Sequence, residues 1–337
     1  MTAPNPLSDL LAEKGVLLAD GATGTNLFAM GLEAGEAPEL WNETHPGRID
    51  KLHQDFVDAG ADIILTNSFG GTRHRLKLHH AQDRVFELNR RAAEIARAVA
   101  DRAPRKVIVA GSVGPTGELL LPLGALTYED AVAAFAEQIE GLKAGGVDVA
   151  WIETMSSPEE IRAAAEAAAK VGVPYTYTGS FDTAGRTMMG LDPKDIHGVA
   201  ADIGEGPVAV GANCGVGASD ILSSLLDMTA ADPDAVTIVK GNCGIPEYRG
   251  AEIHYSGTPP LMAEYARLAR DAGAKIIGGC CGTSCEHLAA MRHALDDYTP
   301  RPRPTIEEIV DRIGPLRNKT ASQGGGEPGR ERRRRRG

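Results

Sequence analysis

Eight short β-rich runs recur along the chain, each separated from the next by a segment long enough for a helix. The runs are VLLAD (16–20), DIILTN (62–67), KVIVAG (106–111), VDVAWIE (147–153), PYTYTGS (174–180), PVAVGANC (207–214), VTIVKGN (236–242) and KIIGGC (275–280). Between them the sequence predicts helices near 48–59, 81–102, 128–144, 157–171, 193–203, 218–230 and 260–272, with a last one over 284–297. Near-continuous apolar strands alternating with helices imply a parallel sheet covered on its outer side. Eight such units in about 300 residues match a closed (β/α)8 TIM barrel of the α/β class. An open doubly wound sheet competes with it. However, the first strand is followed by DGATGTNL, not by a G-x-G-x-x-G turn leading straight into a helix, which weighs against a dinucleotide fold.

The punctuation agrees. AGAD, AGGVD, VGVP and AGAK mark helix-to-strand turns, with glycine available for left-handed caps. Ser157-Pro158-Glu159-Glu160 supplies an N-cap, a proline at the first helical position and a capping-box glutamate. Asp192-Pro193 repeats the cap and proline. The segments after strands (21–47, 68–80, 112–127, 243–259) are long and those before strands are short. In a barrel, the long-loop end is the active-site face.

The barrel is expected to span 8–298, with an arm at 299–314 and a disordered basic tail at 315–337. The arm, TPRPRPTIEEIVDRIG, packs on a neighbouring copy in an expected homo-oligomer or lies as a surface helix. The tail carries eight basic groups against two acidic ones, so a chain of net charge −11 has a body of −17. An acidic body disfavours nucleic acid and suits a small or cationic substrate. MTAPNPLSDLLAEKG lacks a basic segment followed by an apolar core, and no apolar stretch approaches membrane-spanning length. Five cysteines, three of them within six residues, argue for reduced thiols in the cytoplasm rather than a disulfide framework.

Neighbours on a regular strand point to opposite faces, so the vicinal Cys280 and Cys281 serve one site only if the strand ends beneath them. They sit at the C-terminal end of the eighth run, and Cys214 sits at the end of the sixth. A barrel brings these ends to one rim. Three thiols at an open mouth suit a soft metal, zinc best of all, with a position left for substrate. For any one of them alone, a small buried hydrophobe is the plainer reading, and a vicinal redox switch is another. Cys243, at the end of the seventh run, is a rival ligand. Cys285 starts the last helix and reads as structural.

Other polar residues fall on the same rim. Asp20 ends the first run, Asn67 the second and Glu153 the fourth. A carboxylate at a strand end is a poor choice for stability unless something cationic meets it. Backbone N–H groups around Gly21 and Ala22 suit a carboxylate. The set suggests a pocket for a zwitterion: an acid for its ammonium, amides for its carboxylate and a metal for the remainder, hence a small thiol-bearing amino acid. The nine histidines are scattered, and His53, His74, His79 and His80 fall on or near helix surfaces as solvated groups.

DGATGTNL, ADIILTNSF, AGSVGPTG, WIETMSS, SFDTAGRTMMG, GANC and IIGGCCGT resemble, in order, the motifs of the homocysteine S-methyltransferase family. That family includes betaine–homocysteine methyltransferase and the homocysteine domain of cobalamin-dependent methionine synthase. The resemblance covers roughly 8–298 and implies a zinc barrel that methylates homocysteine to methionine. It implies Cys214, Cys280 and Cys281 as zinc ligands, with Asp20 and Glu153 at the homocysteine end. Free homocysteine's thiol is mostly protonated near neutral pH, by analogy with cysteine at about 8.5. Zinc coordination deprotonates it, and the thiolate then attacks the methyl group in line without a general base. For the donor, Phe69 and Trp41 match parts of the aromatic cage that holds betaine, while Gly70 and Thr154 stand where that cage has tyrosines. Betaine or another small onium compound is therefore one expected donor. Methylcobalamin on a partner corrinoid protein, with this chain as the homocysteine subunit of a split methionine synthase, is the alternative. From another class, a non-enzymatic vicinal-thiol redox or zinc-holding protein remains.

Overall fold

The computed structural model describes residues 5–244, 246–249 and 252–318. Its eight-stranded sheet contains β1 (Leu17–Leu18), β2 (Ile63–Leu65), β3 (Ile108–Val113), β4 (Val149–Met155), β5 (Tyr175–Gly179), β6 (Ala209–Cys214), β7 (Thr237–Gly241) and β10 (Ile276–Gly279). All neighbours are parallel, in the order β1-β10-β7-β6-β5-β4-β3-β2, and a bridge between Ala19 and Ile63 closes the ring. The expected (β/α)8 barrel is what the chain forms. Between β7 and β10 lies an antiparallel hairpin, β8 (Pro246–Arg249) and β9 (Glu252–Tyr255), inside a long loop of the mouth.

The outer ring consists of α4 (Pro46–Asp58), α6 (Val85–Arg102), α7 (Tyr128–Ala144), α8 (Pro158–Val171), α9 (Ala218–Ala231), α10 (Pro259–Asp271) and α11 (Cys285–Leu295). Shorter helices, α2 (Thr23–Ala29), α3 (Trp41–Thr44) and α5 (Arg73–Leu76), lie in the segments that follow β1 and β2. The predicted helix at 193–203 is instead a 3-10 turn over Pro193–Gly198. Gly198 interrupts it, and glycine disfavours continuation as an α-helix. The predicted start at 81 is a 3-10 segment, Gln82–Arg84, before α6. Ser157 caps α8 through the Glu160 N–H, as expected. The Glu160 carboxylate, however, does not close a capping box. It accepts from Thr116 N at 2.8 Å and Thr116 Oγ1 at 2.7 Å in the loop after β3.

Inside the barrel, Leu17, Ile63, Ile108, Val149, Trp151, Ala209, Ile238 and Ile276 form one apolar layer with Leu7 and Leu10 of α1 (Pro6–Lys14). The sequence pattern assigns no helix there. The helix covers the N-terminal end of the barrel, which leaves the C-terminal strand ends to line a site. Buried Asp62 ties the helix in place. It accepts from Lys14 Nζ at 2.5 Å, Leu18 N at 2.9 Å and Arg292 Nη1 at 3.2 Å.

The arm contains α12 (Ile306–Ile313), which buries Ile309 and Ile313 against α9 and α10 of its own barrel. The chain then continues in contact past the expected boundary at 314. Arg317 N and Asn318 N donate to the Asp220 carboxylate, so 315–318 is docked rather than part of a free tail. The rest of the predicted tail, 319–337, lies outside the described residues. Among the described residues, no helix is long and apolar enough to cross a membrane.

Candidate metal centre and substrate cavity

The chain solves the vicinal-thiol problem with a turn. β10 stops at Gly279, and Thr283 N donates back to Cys280 O at 3.0 Å. Gly282 takes the third position of that turn at φ 81°, where a Cβ would also meet the Tyr255 ring at 2.3 Å. Only glycine meets both demands easily. Across the rim, Cys214 ends β6 in the left-handed region at φ 63°, a conformation that costs a non-glycine residue about 1–3 kcal/mol and persists only where its surroundings enforce it. The result is a cluster. The sulfurs of Cys214, Cys280 and Cys281 all lie within 4.8 Å of one another.

Two asparagines hold these strand ends. Asn242 Nδ2 lies 3.8 Å from Cys214 Sγ and donates to Gly215 O at 2.7 Å, while Asn242 Oδ1 accepts from Cys281 N at 3.1 Å. Asn213 Nδ2 lies 3.8 Å from Cys280 Sγ. Asn213 also clamps Thr154, accepting its N–H at 2.7 Å and donating to its Oγ1 at 2.7 Å. Thr154 has φ 61°, which is strained for a β-branched residue.

Without a cation the three thiols resist ionisation. Cys280 is pushed up to about 12, first by its bond to Cys214 and further by burial. The Cys280 contact pulls Cys214 down, but its contact with Cys281 and burial carry it up to about 11. Cys281, drawn down by Cys214, is carried to about 12 by Cys280 and burial. One thiophilic dication would replace these mutual repulsions with attraction. Ligands about 2.3 Å from zinc in a tetrahedron stand on the order of 3.8 Å apart, which suits the observed spacing. The donor set therefore fits a soft divalent metal. Cys243 is fully buried and stands outside the cluster, its thiol pushed up to about 12 by burial. Cys285 is the first residue of α11 and also stands outside it.

The cluster lies in a cavity of about 500 Å3 that also exposes Gly21, Ala22, Asn67, Phe69, Glu153 and Lys240. Glu153 Oε1 accepts from Ser112 Oγ at 2.5 Å. Burial raises the Glu153 carboxyl against the opposing pull of Lys240. Phe69 forms part of the mouth, 38% exposed. Asn67 lines the wall, but its Nδ2 is engaged by Pro38 O at 2.7 Å and Asn42 Oδ1 at 3.1 Å.

Four expectations need correction. Asp20 does not face the cavity. Its oxygens are taken by Lys240 Nζ at 2.7 Å and Leu65 N at 2.8 Å. The Ala22 N–H is spent on Thr283 O at 3.1 Å, and a Cβ on Gly21 would meet that same oxygen at 2.5 Å. The residues beyond them, Thr23, Gly24 and Thr25, open α2 and line the cavity. As the first turn of a helix their N–H groups have no intrahelical acceptor. Trp41 is 3% exposed, packed beside His45 and under the Arg48 guanidinium, and is not part of the cavity wall. Of the histidines read as solvated, His53 is buried in α4 and His79 lines the cavity.

Lys240, Asn213 and Asn242 were not anticipated as site residues. A lysine inside the apolar run VTIVKGN was the available signal, because an unpaired buried ammonium is strongly unfavourable.

A family model described as homocysteine S-methyltransferase matches residues 17–295. Methionine synthase of Mycobacterium tuberculosis is 30% identical over 307 residues, covering 86% of this chain and 25% of that protein. The Mycobacterium leprae methionine synthase is 29% identical over 88% of this chain and 26% of that protein. The chain thus spans about a quarter of the length of these relatives. Among solved structures, the metallated homocysteine methyltransferase MmuM from Escherichia coli superposes with a TM-score of 0.71 at 26% identity, covering 86% of this chain and 99% of that one.

Proposed function

This chain belongs to the homocysteine S-methyltransferase family, and we propose that it transfers a methyl group to the sulfur of homocysteine, forming methionine. The observation that carries this reading is the convergence of Cys214, Cys280 and Cys281 in the same cavity as Glu153. We assign zinc to the three thiols. When bound, it would hold a substrate thiol ionised near neutral pH. The residues of the chain do the rest. Glu153 takes the substrate ammonium, and the backbone of Thr23 to Thr25 at the start of α2 receives its carboxylate. In the transfer, a sulfur–carbon bond forms as the bond from the methyl group to its donor breaks. The electron pair leaves with the donor and the thiol proton goes to solvent.

The donor reading that the cavity favours is a methyl group delivered to the open face by a separate domain or protein, with methylcobalamin as the carrier. Leu119, Leu121 and Leu123 are exposed together on the segment that follows β3, and Met188 on the one that follows β5, and apolar side chains grouped on one exposed loop favour docking of a partner there. The curated relatives are methionine synthases. A small onium donor is the second reading, supported by Phe28, Phe69, Glu36 and Glu39 in the cavity wall. The displacement of Trp41 from that wall removes one side of the expected betaine cage. Zinc-loaded protein incubated with homocysteine and, separately, methylcobalamin, betaine, S-methylmethionine or dimethylsulfoniopropionate tests both. Methionine is expected with at least one donor, methylcobalamin first. No methionine with any of them, alongside a reversible Cys280–Cys281 disulfide, would replace this reading with a redox role.

A further inference from the structure

Lys240 sits on β7 inside the barrel and is 3% exposed. The charged and titratable groups that act on it are Asp20 from the end of β1, Glu153 from β4 and the Cys280 thiol from the turn after β10. The indole of Trp151 lies 5.9 Å from its ammonium. Asp20 is held at both oxygens, by Lys240 on Oδ1 and Leu65 N–H on Oδ2. Glu153 is held by Ser112 on Oε1. Lys240 and Glu153 face the cavity, while Asp20 stands behind them.

We infer that Lys240 determines substrate specificity by cancelling the charge of Asp20, which leaves Glu153, rather than Asp20, as the carboxylate offered to the ammonium group of the incoming amino acid. The inference rests on the homocysteine reading and names what sets its charge selectivity. Asp20 is then a positioning residue. It fixes Lys240 and joins the ends of β1, β2 and β7, without touching substrate. The count of charges has consequences. Removing Asp20 alone leaves the Lys240 ammonium with Glu153 as its counter-ion, so the cavity floor no longer attracts a cation. Removing Lys240 alone leaves two carboxylates on that floor. Removing both restores the original balance.

The test compares dissociation constants of homocysteine and of its des-amino analogue, 4-mercaptobutanoate, by calorimetry on metal-loaded protein, with metal content measured for every variant. The unaltered protein is expected to prefer homocysteine by about tenfold or more, the usual scale of a charge-assisted hydrogen bond. Glu153→Gln and Asp20→Asn should each reduce that preference to less than about threefold. Lys240→Met should keep or increase it. The Asp20→Asn/Lys240→Met double variant should recover it to within about threefold of the starting value, the sign of coupled rather than independent sites. Lys240→Arg, which keeps the charge, should retain it as well. A double variant as unselective as Asp20→Asn would place Asp20 in contact with the ammonium and overturn the inference. So would an unchanged ratio in every variant with both affinities moving together, which would make the pair structural only. Equal affinity of the unaltered protein for the two thiols would overturn the homocysteine reading itself, and this inference with it.

Discussion

Lys240 Nζ lies 2.7 Å from Asp20 Oδ1, joining residues 220 positions apart in the chain, both buried in the barrel. The pair brings the ends of the first and seventh barrel strands together beneath the cavity, and it leaves Glu153, not Asp20, facing the cavity. The same logic of paired and unpaired groups yields four predictions.

Cys214→Ala and Cys281→Ala should each abolish tight metal binding, because two thiolates and water replace a three-sulfur site. Cys243→Ala and Cys285→Ala should retain about one metal ion per chain, since neither sulfur belongs to the cluster. Elemental analysis after dialysis against a weak chelator reads this directly. Full metal retention in Cys214→Ala would remove that residue from the ligand set.

Glu153→Gln should weaken homocysteine binding by about 10- to 100-fold, the value of a charge-assisted hydrogen bond of roughly 1.5–3 kcal/mol. Metal content should stay unchanged, because Glu153 bonds to Ser112 and not to the thiols. Calorimetric titration with homocysteine measures both the affinity and the stoichiometry. An unaltered dissociation constant would take Glu153 out of the substrate site.

Asn213→Ala should lower stability by about 2 kcal/mol, because it releases both hydrogen bonds that hold Thr154 in the left-handed region. In the same background, Thr154→Gly should recover part of the loss, since glycine adopts that backbone region without strain. Denaturant titrations of the two single variants and the double variant make the comparison. Equal instability of Asn213→Ala with and without Thr154→Gly would show that the clamp does not act through the backbone of Thr154.

His53 is buried without a hydrogen-bond partner for either ring nitrogen among the described residues, and burial lowers it to about 4. An unfolded histidine titrates near 6.5. Between these values the unfolded chain binds the extra proton, so stability falls as pH drops from about 6.5 towards 4 and is flat above that range. His53→Leu should remove roughly 3 kcal/mol of that pH dependence, at about 1.4 kcal/mol per unit. Urea unfolding at several pH values between about 4.5 and about 8 compares the two slopes. Parallel stability–pH curves for the two proteins would assign the acid sensitivity to other groups.

The sequence by itself determined the architecture. The eight barrel strands and most of the outer helices are encoded within about 5 to 20 neighbouring residues by apolar periodicity and by caps, so the eight runs could be placed before any contact was known. It also marked the three thiols, because ends of parallel strands must share a rim once the barrel closes. Tertiary structure alone decided which polar groups remain free at that rim. Asp20 looked like a substrate carboxylate until Lys240 arrived from β7 to take it. The Ala22 amide looked available until Thr283 claimed it. Trp41 looked like a cage wall until its helix packed it inward, and α1 sealed the far end of a barrel whose interior the local pattern left open. Periodicity is a property of neighbours along the chain, whereas satisfaction of a charge or a hydrogen bond depends on a partner that closure of the barrel brings from far away.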